Sequence, residues 1–109
     1  MEIVKVWSDR RIKIPKDMIE KLNMRDTKFI YIVAYDSKTF FIKKQLGVGD
    51  ITSLFVDIRL ILKHVNRNSC INYRISIPSA LMRKMPSIKI GGYVYVYINE
   101  NKDIVVTTI

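Results

Sequence analysis

Short runs of alternating polar and apolar residues, each closed by a proline or a polar turn, dominate this chain. A period of two marks a half-buried strand. Residues 2–7 alternate and are rich in β-prone types; after the polar break Ser8-Asp9-Arg10 the next strand is Arg11-Ile12-Lys13-Ile14. Ile12 and Ile14 then point one way and Arg11 and Lys13 the other, so a core face and a cationic face are specified together. Pro15 ends the ladder and suits the first position of a short helix with Met18, Ile19 and Leu22 inward. Asp17 and Lys21, four apart, support it. A hairpin is predicted next, 29–35 to 39–44, across the polar turn Asp36-Ser37-Lys38-Thr39.

The same order of elements then returns. Arg74-Ile75-Ser76-Ile77-Pro78 repeats Arg11-Ile12-Lys13-Ile14-Pro15 at a spacing of 63 residues, and Pro86 inserts one more. Beyond it Met24-Arg25-Asp26-Thr27-Lys28-Phe29-Ile30-Tyr31-Ile32 aligns with Ile88-Lys89-Ile90-Gly91-Gly92-Tyr93-Val94-Tyr95-Val96. Leu81, Met82 and Met85 give the second helix its inward stripe, and a second hairpin is predicted from 93–98 to 103–108. A unit of about 45 residues buries too little apolar surface to stand alone, so each copy needs the other.

Between the copies, Gly47-Val48-Gly49 breaks regular structure and Asp50 is placed to cap a helix over about residues 51–64. Ile51, Leu54, Phe55, Ile58, Leu62 and Val65 fall at helical spacing on one face, with Asp57, Arg59 and Lys63 mostly elsewhere. The reading is residues 1–45 as repeat 1, 46–65 as a connector with an amphipathic helix, and 66–109 as repeat 2. The helix covers the β core or builds a homodimer, and exchange of hairpins between two chains is the other route to a homodimer.

Lys and Arg number 19 against 10 Asp and Glu, a net charge of +9. Residues 1–45 carry 11 basic and six acidic groups, residues 46–64 two of each, and residues 65–109 six and two. The excess rides on the repeats and spares the connector. A basic surface of this kind concentrates polyanions, nucleic acid above all. With the single cysteine Cys70 no intrachain disulfide can form, which suits a reducing compartment. Neither a secretory signal at Met1-Glu2-Ile3-Val4-Lys5 nor an apolar run near the ~20 residues of a membrane helix is expected. A cytoplasmic, nucleoid-associated protein is expected, or one of the host cytoplasm if viral.

A strand ending in Arg-hydrophobic-x-Ile-Pro, a short helix, a bend such as Ile88-Lys89-Ile90-Gly91-Gly92 or Met24-Arg25-Asp26-Thr27, and then a hairpin resembles the AbrB/MazE/SpoVT swapped-hairpin domain. The resemblance covers roughly residues 3–44 and 66–108. It implies a mainly β fold with short helices, a swapped-hairpin barrel in which two tandem repeats interleave as a pseudo-dimer, as in members of the MraZ type. It also implies double-stranded DNA as the partner and transcription regulation as the role. Family DNA contacts come largely from basic residues before the Ile-Pro strand and in the short helix. The resemblance carries these onto Arg11 and Arg74, more loosely onto Lys5 and Arg67, and in the second helix onto Arg83 and Lys84. The first helix departs from the pattern, with Ile19 and Glu20 at the matching places. Arg10 and Lys13 join the candidates because a cationic face of a two-stranded ribbon fits a major groove, where Arg forks grip phosphates or guanine edges.

No catalytic residues, cofactors or metal ligands are expected. His64 is the only histidine and Cys70 stands six residues away without a second pair, which is not metal-site spacing. One histidine cannot complete a credible nucleophilic triad. Gly47-Val48-Gly49 lacks the Gly-Lys-Ser/Thr of a phosphate loop. Trp7, Tyr31, Tyr35, Tyr93, Tyr95 and Tyr97 suggest base stacking, but aromatics are ordinary in strands and packing is the simpler cause. The alternative function is an antitoxin-type or assembly module that binds a protein. Such antitoxins usually carry a long tail, and this chain stops at Ile109.

Overall fold

The computed structural model describes residues 1–109. In chain order the elements are strands β1 (Glu2–Lys5) and β2 (Arg11–Ile14), helix α1 (Lys16–Lys21), strands β3 (Phe29–Ala34) and β4 (Thr39–Lys43), a 3-10 turn (Val48–Thr52), strands β5 (Phe55–Leu60), β6 (Leu62–Val65) and β7 (Ile71–Ser76), helix α2 (Ser79–Lys84), and strands β8 (Tyr93–Ile98) and β9 (Ile104–Thr108). The protein is mainly β, as the alternation predicts. Both hairpins lie within a residue of their expected bounds. The first helix begins one residue later than expected, because Pro15 keeps an extended ψ of 132° and stands just ahead of the first turn; Pro78, with ψ 137°, stands in the same place before α2.

A six-stranded sheet runs in the order β1-β8-β9-β4-β3-β5 and a three-stranded one in the order β2-β7-β6. Both are open, which corrects the expectation of a closed barrel. β1 and β5 end the larger sheet on opposite sides and do not pair, so the smaller sheet packs against it as a second layer. Ile12, Ile14, Tyr73 and Ile75 meet Ile30, Ile32, Phe40, Ile42, Val94, Val96, Ile104 and Val106 in one core. The helical stripes join it: Met18, Ile19 and Leu22 from the α1 side, Leu81 and Met85 from the α2 side, with Met82 half-buried.

The two hairpins sit side by side in the larger sheet, with β1 on one flank and the connector strand β5 on the other. β1 pairs with β8, β5 pairs with β3, and the two hairpins meet along β4 and β9, where Phe41 faces Val105. The residues just past the edge strands, Val6 and Ile61, are both buried, and their amides donate at 2.8 Å to Gly92 and Lys28 carbonyls.

No helix covers residues 51–64; the expected connecting helix is instead the 3-10 turn, β5 and β6. Phe55-Val56-Asp57-Ile58-Arg59-Leu60 also alternates with period two, and β3 offers it a full ladder of main-chain partners. A tertiary partner overrides the helical spacing, and a dimer built on that helix has no element to rest on. β4 and β5 both run antiparallel to β3 on its two sides, so the chain between them must cross the face of the sheet. Asp50 fastens this crossing. Its carboxylate is 2% exposed and accepts from the Gly47 amide at 2.6 Å, from Lys43 Nζ at 3.1 Å and from the Tyr35 hydroxyl. No helix is long and apolar enough to cross a membrane.

Candidate nucleic-acid interface

The three-stranded sheet turns one face to the core and one outward. Outward from β2 come Arg11 and Lys13, from the central strand β7 come Asn72, Arg74 and Ser76, and from β6 come Leu62 and His64. The register sets their neighbours: Arg11 opposite Ser76, Lys13 opposite Arg74, Leu62 opposite Arg74 and His64 opposite Asn72. Three of the predicted cations, Arg11, Lys13 and Arg74, therefore share one small face.

Lys13 and Arg74 carry like charges on directly opposed positions, an arrangement that costs rather than stabilises. Neither forms an ion pair with an acid. Arg74 is held between Leu62 and Lys13, and its Nε is buried without an acceptor. An unmade hydrogen bond of this kind costs about 1–3 kcal/mol. Arg11 is partly balanced, with Nε 3.4 Å from Asp9 Oδ2 at a side-chain exposure of 42%.

The other predicted cations scatter around this face. Arg10 sits in the β1–β2 turn at φ 65°, and its Nε donates to the Ile77 carbonyl at 3.2 Å, tying the turn to the end of β7. Lys5, at the end of β1, lies 5.3 Å from the centre of the exposed Trp7 ring. Lys5, Lys13 and Lys16 line one cleft of about 540 Å³ beside the start of α1, together with Trp7, Asn72 and the acids Glu2 and Asp17. Arg67 stands at the tip of the β6–β7 hairpin, and Arg83 and Lys84 lie exposed at the end of α2. These three make no ion pair.

Sequence reasoning missed Lys16, Asn72 and His64. Lys16 is hidden by its place beside Pro15 in an apparent helix start. His64 and Asn72 become neighbours only through the β6–β7 pairing, and a period-two reading of residues 62–65 would have placed His64 beside the cations. The tyrosines of β8 do not stack in the core: Val94 and Val96 fill it, while Tyr93, Tyr95 and Tyr97 lie on the outer face of the larger sheet.

Comparison with protein-family models, with curated proteins and with solved structures returns no significant match.

Proposed function

We propose that this protein is a DNA-binding transcriptional regulator that grips duplex DNA with the outward face of the three-stranded sheet. Arg11, Lys13 and Arg74 contact phosphates and base edges, with Arg10 and Lys5 at one margin and Arg67, Arg83 and Lys84 as outlying phosphate contacts. The observation that carries the reading is the unbalanced Lys13–Arg74 pair, set directly opposite in register, with a buried guanidinium nitrogen lacking any acceptor. Two opposed cations without a protein acid make a ready site for a phosphate, which would accept from both. A basic chain of net charge +9 is drawn to a polyanion before any specific contact forms.

The resemblance to the AbrB/MazE/SpoVT swapped-hairpin domain supports the same reading. The two Arg-Ile-x-Ile segments pair with one another, and the hairpins of the two copies lie side by side, with β1 of the first copy paired to β8 of the second. Pairing between the copies of this kind is what supports the reading.

The test is titration of a labelled random-sequence duplex at low salt with wild type, the Arg11→Ala/Arg74→Ala variant and a control, Lys38→Ala/Lys102→Ala. The control removes the same charge from the two exposed hairpin turns. About tenfold weaker binding or more is expected for the arginine variant, from roughly 1–3 kcal/mol for each good contact, and little change for the control. Equal losses in both would reduce the interaction to bulk charge and defeat the assignment to this face.

A further inference from the structure

β5 is an edge of the six-stranded sheet and carries no proline, lysine or bulge to blunt it, and its two charges, Asp57 and Arg59, are of opposite sign and cancel. Val56, Ile58 and Leu60 project together on the outer face and are 39%, 50% and 51% exposed. Phe29, opposite Leu60, is 55% exposed and extends the apolar strip. On the other face of β5 Asp57 and Arg59 pair at 3.1 Å, and the Arg59 Nε is buried without an acceptor.

The free edge is open for pairing. The Ile58 amide donates to its own neighbour, Asp57 Oδ1, at 2.8 Å, rather than to β3, whereas the Ile61 amide bonds toward the β3 side at Lys28. Main-chain groups alternate along a strand, so those of Val56, Ile58 and Leu60 point away from β3.

Read in either direction, Val56-Asp57-Ile58-Arg59-Leu60 is apolar, charged, apolar, oppositely charged, apolar. We infer that a second copy of this chain pairs with it along β5, antiparallel and centred on Ile58. In that register Ile58 faces Ile58 as a hydrogen-bonded pair and Val56 faces Leu60 of the second copy. Asp57 faces Arg59 of the second copy twice over, at the closely spaced positions of about 4.5 Å between Cα atoms that favour side-chain contact. The Ile58 amide exchanges the Asp57 carboxylate for a carbonyl of the second copy, and each guanidinium gains a second carboxylate. Two copies of a +9 chain repel elsewhere, but residues 46–64 hold two basic and two acidic groups and bring no net charge to the contact. The dyad stands normal to the sheet and keeps the same face up, so both three-stranded sheets lie on one side of a continuous larger sheet. The dimer does not depend on nucleic-acid binding.

The test is the mass of the full chain by sedimentation across a concentration series, with circular dichroism to confirm folding. Wild type is expected to approach twice 12.8 kDa. Asp57→Arg and Arg59→Asp place like charges face to face and each is expected to stay monomeric alone, as is Ile58→Lys, which alters only an exposed position. Mixing Asp57→Arg with Arg59→Asp restores opposite charges and is expected to yield a heterodimer, and the doubly swapped Asp57→Arg/Arg59→Asp chain is expected to associate with itself. Wild type at monomer mass throughout would overturn the inference. So would single variants that associate as wild type does, or a mixture of the two that stays monomeric.

Discussion

Ile12 lies directly opposite Ile75 in the antiparallel β2–β7 ladder, and the two hold the same place in the repeated Arg-Ile-x-Ile-Pro segment. Phe41 and Val105 repeat the relationship in the larger sheet, where β4 meets β9. Each pairing therefore sets matching positions of the two repeated segments face to face. Around the second of these pairs the two sides differ: Thr39 and Thr107 join hydroxyls at 2.8 Å, while at the matching places on the other side Lys43 Nζ lies 3.6 Å from Asp103 Oδ2.

Ile12 and Ile75 are both fully buried. Ile12→Ala and Ile75→Ala are each expected to destabilise the fold by about 2–4 kcal/mol, the usual range for emptying a closed core site. Because the two side chains are neighbours, the double variant should depart from the sum by about 0.5 kcal/mol or more. Denaturant unfolding of the four chains checks this; strict additivity would mean that the two sites relax independently.

The crossing over β3 should respond to acid. Burial on its own would raise the Asp50 carboxyl, but the bonds from Tyr35, the Gly47 amide and Lys43 outweigh it and hold it below the ordinary value of 3.8. Its contribution is complete above that ordinary value and is lost as the pH falls below it through the lowered folded value. Asp50→Asn is expected to lower stability at neutral pH by about 1–3 kcal/mol, from a buried charge-assisted network left incomplete, and to flatten the decline at the acid end. At the alkaline end, the Asp50 bond raises the Tyr35 hydroxyl above its usual value. For Lys43 burial opposes the shift, yet Asp50 and Asp103 raise the ammonium. Their contribution is present below their ordinary values and lost as the pH rises through the raised ones. Unfolding midpoints across a pH series of wild type and Asp50→Asn check both ends; parallel acid limbs would remove Asp50 from the account.

Lys13 and Arg74 make the opposite kind of prediction. Replacing Lys13 with threonine removes the opposed like charge, worth about 0.2–1 kcal/mol, on an exposed strand position that a β-branched residue suits. Lys13→Thr is expected to raise stability slightly while it weakens DNA binding. Thermal unfolding and titration on the same samples check the pair of effects, and a variant that loses both would mean that Lys13 supports the fold.

Much of this arrangement was legible in the residues. The alternation of Arg11-Ile12-Lys13-Ile14 placed two cations outward, and the two prolines and the hairpin turns fixed the elements around them, because each signal is local. The strand β5 was not legible: Ile51, Leu54, Phe55, Ile58 and Leu62 satisfy a helical stripe as well as Phe55–Leu60 satisfies a strand. Only the free edge of β3, a partner far away in sequence, decides between them. The opposition of Lys13 to Arg74 was equally out of reach, since it depends on the register between two strands some sixty residues apart.

The slope of duplex-DNA affinity against salt, measured for wild type and for the Arg11→Ala/Lys13→Ala/Arg74→Ala variant, tests the central claim most directly. With about six phosphates neutralised the wild-type log–log slope is expected near −5, and removing three contacts should make it shallower by about 3 while affinity falls. A wild-type affinity insensitive to salt, or a variant slope equal to that of wild type, would contradict the assignment of DNA binding to the outward face of the three-stranded sheet.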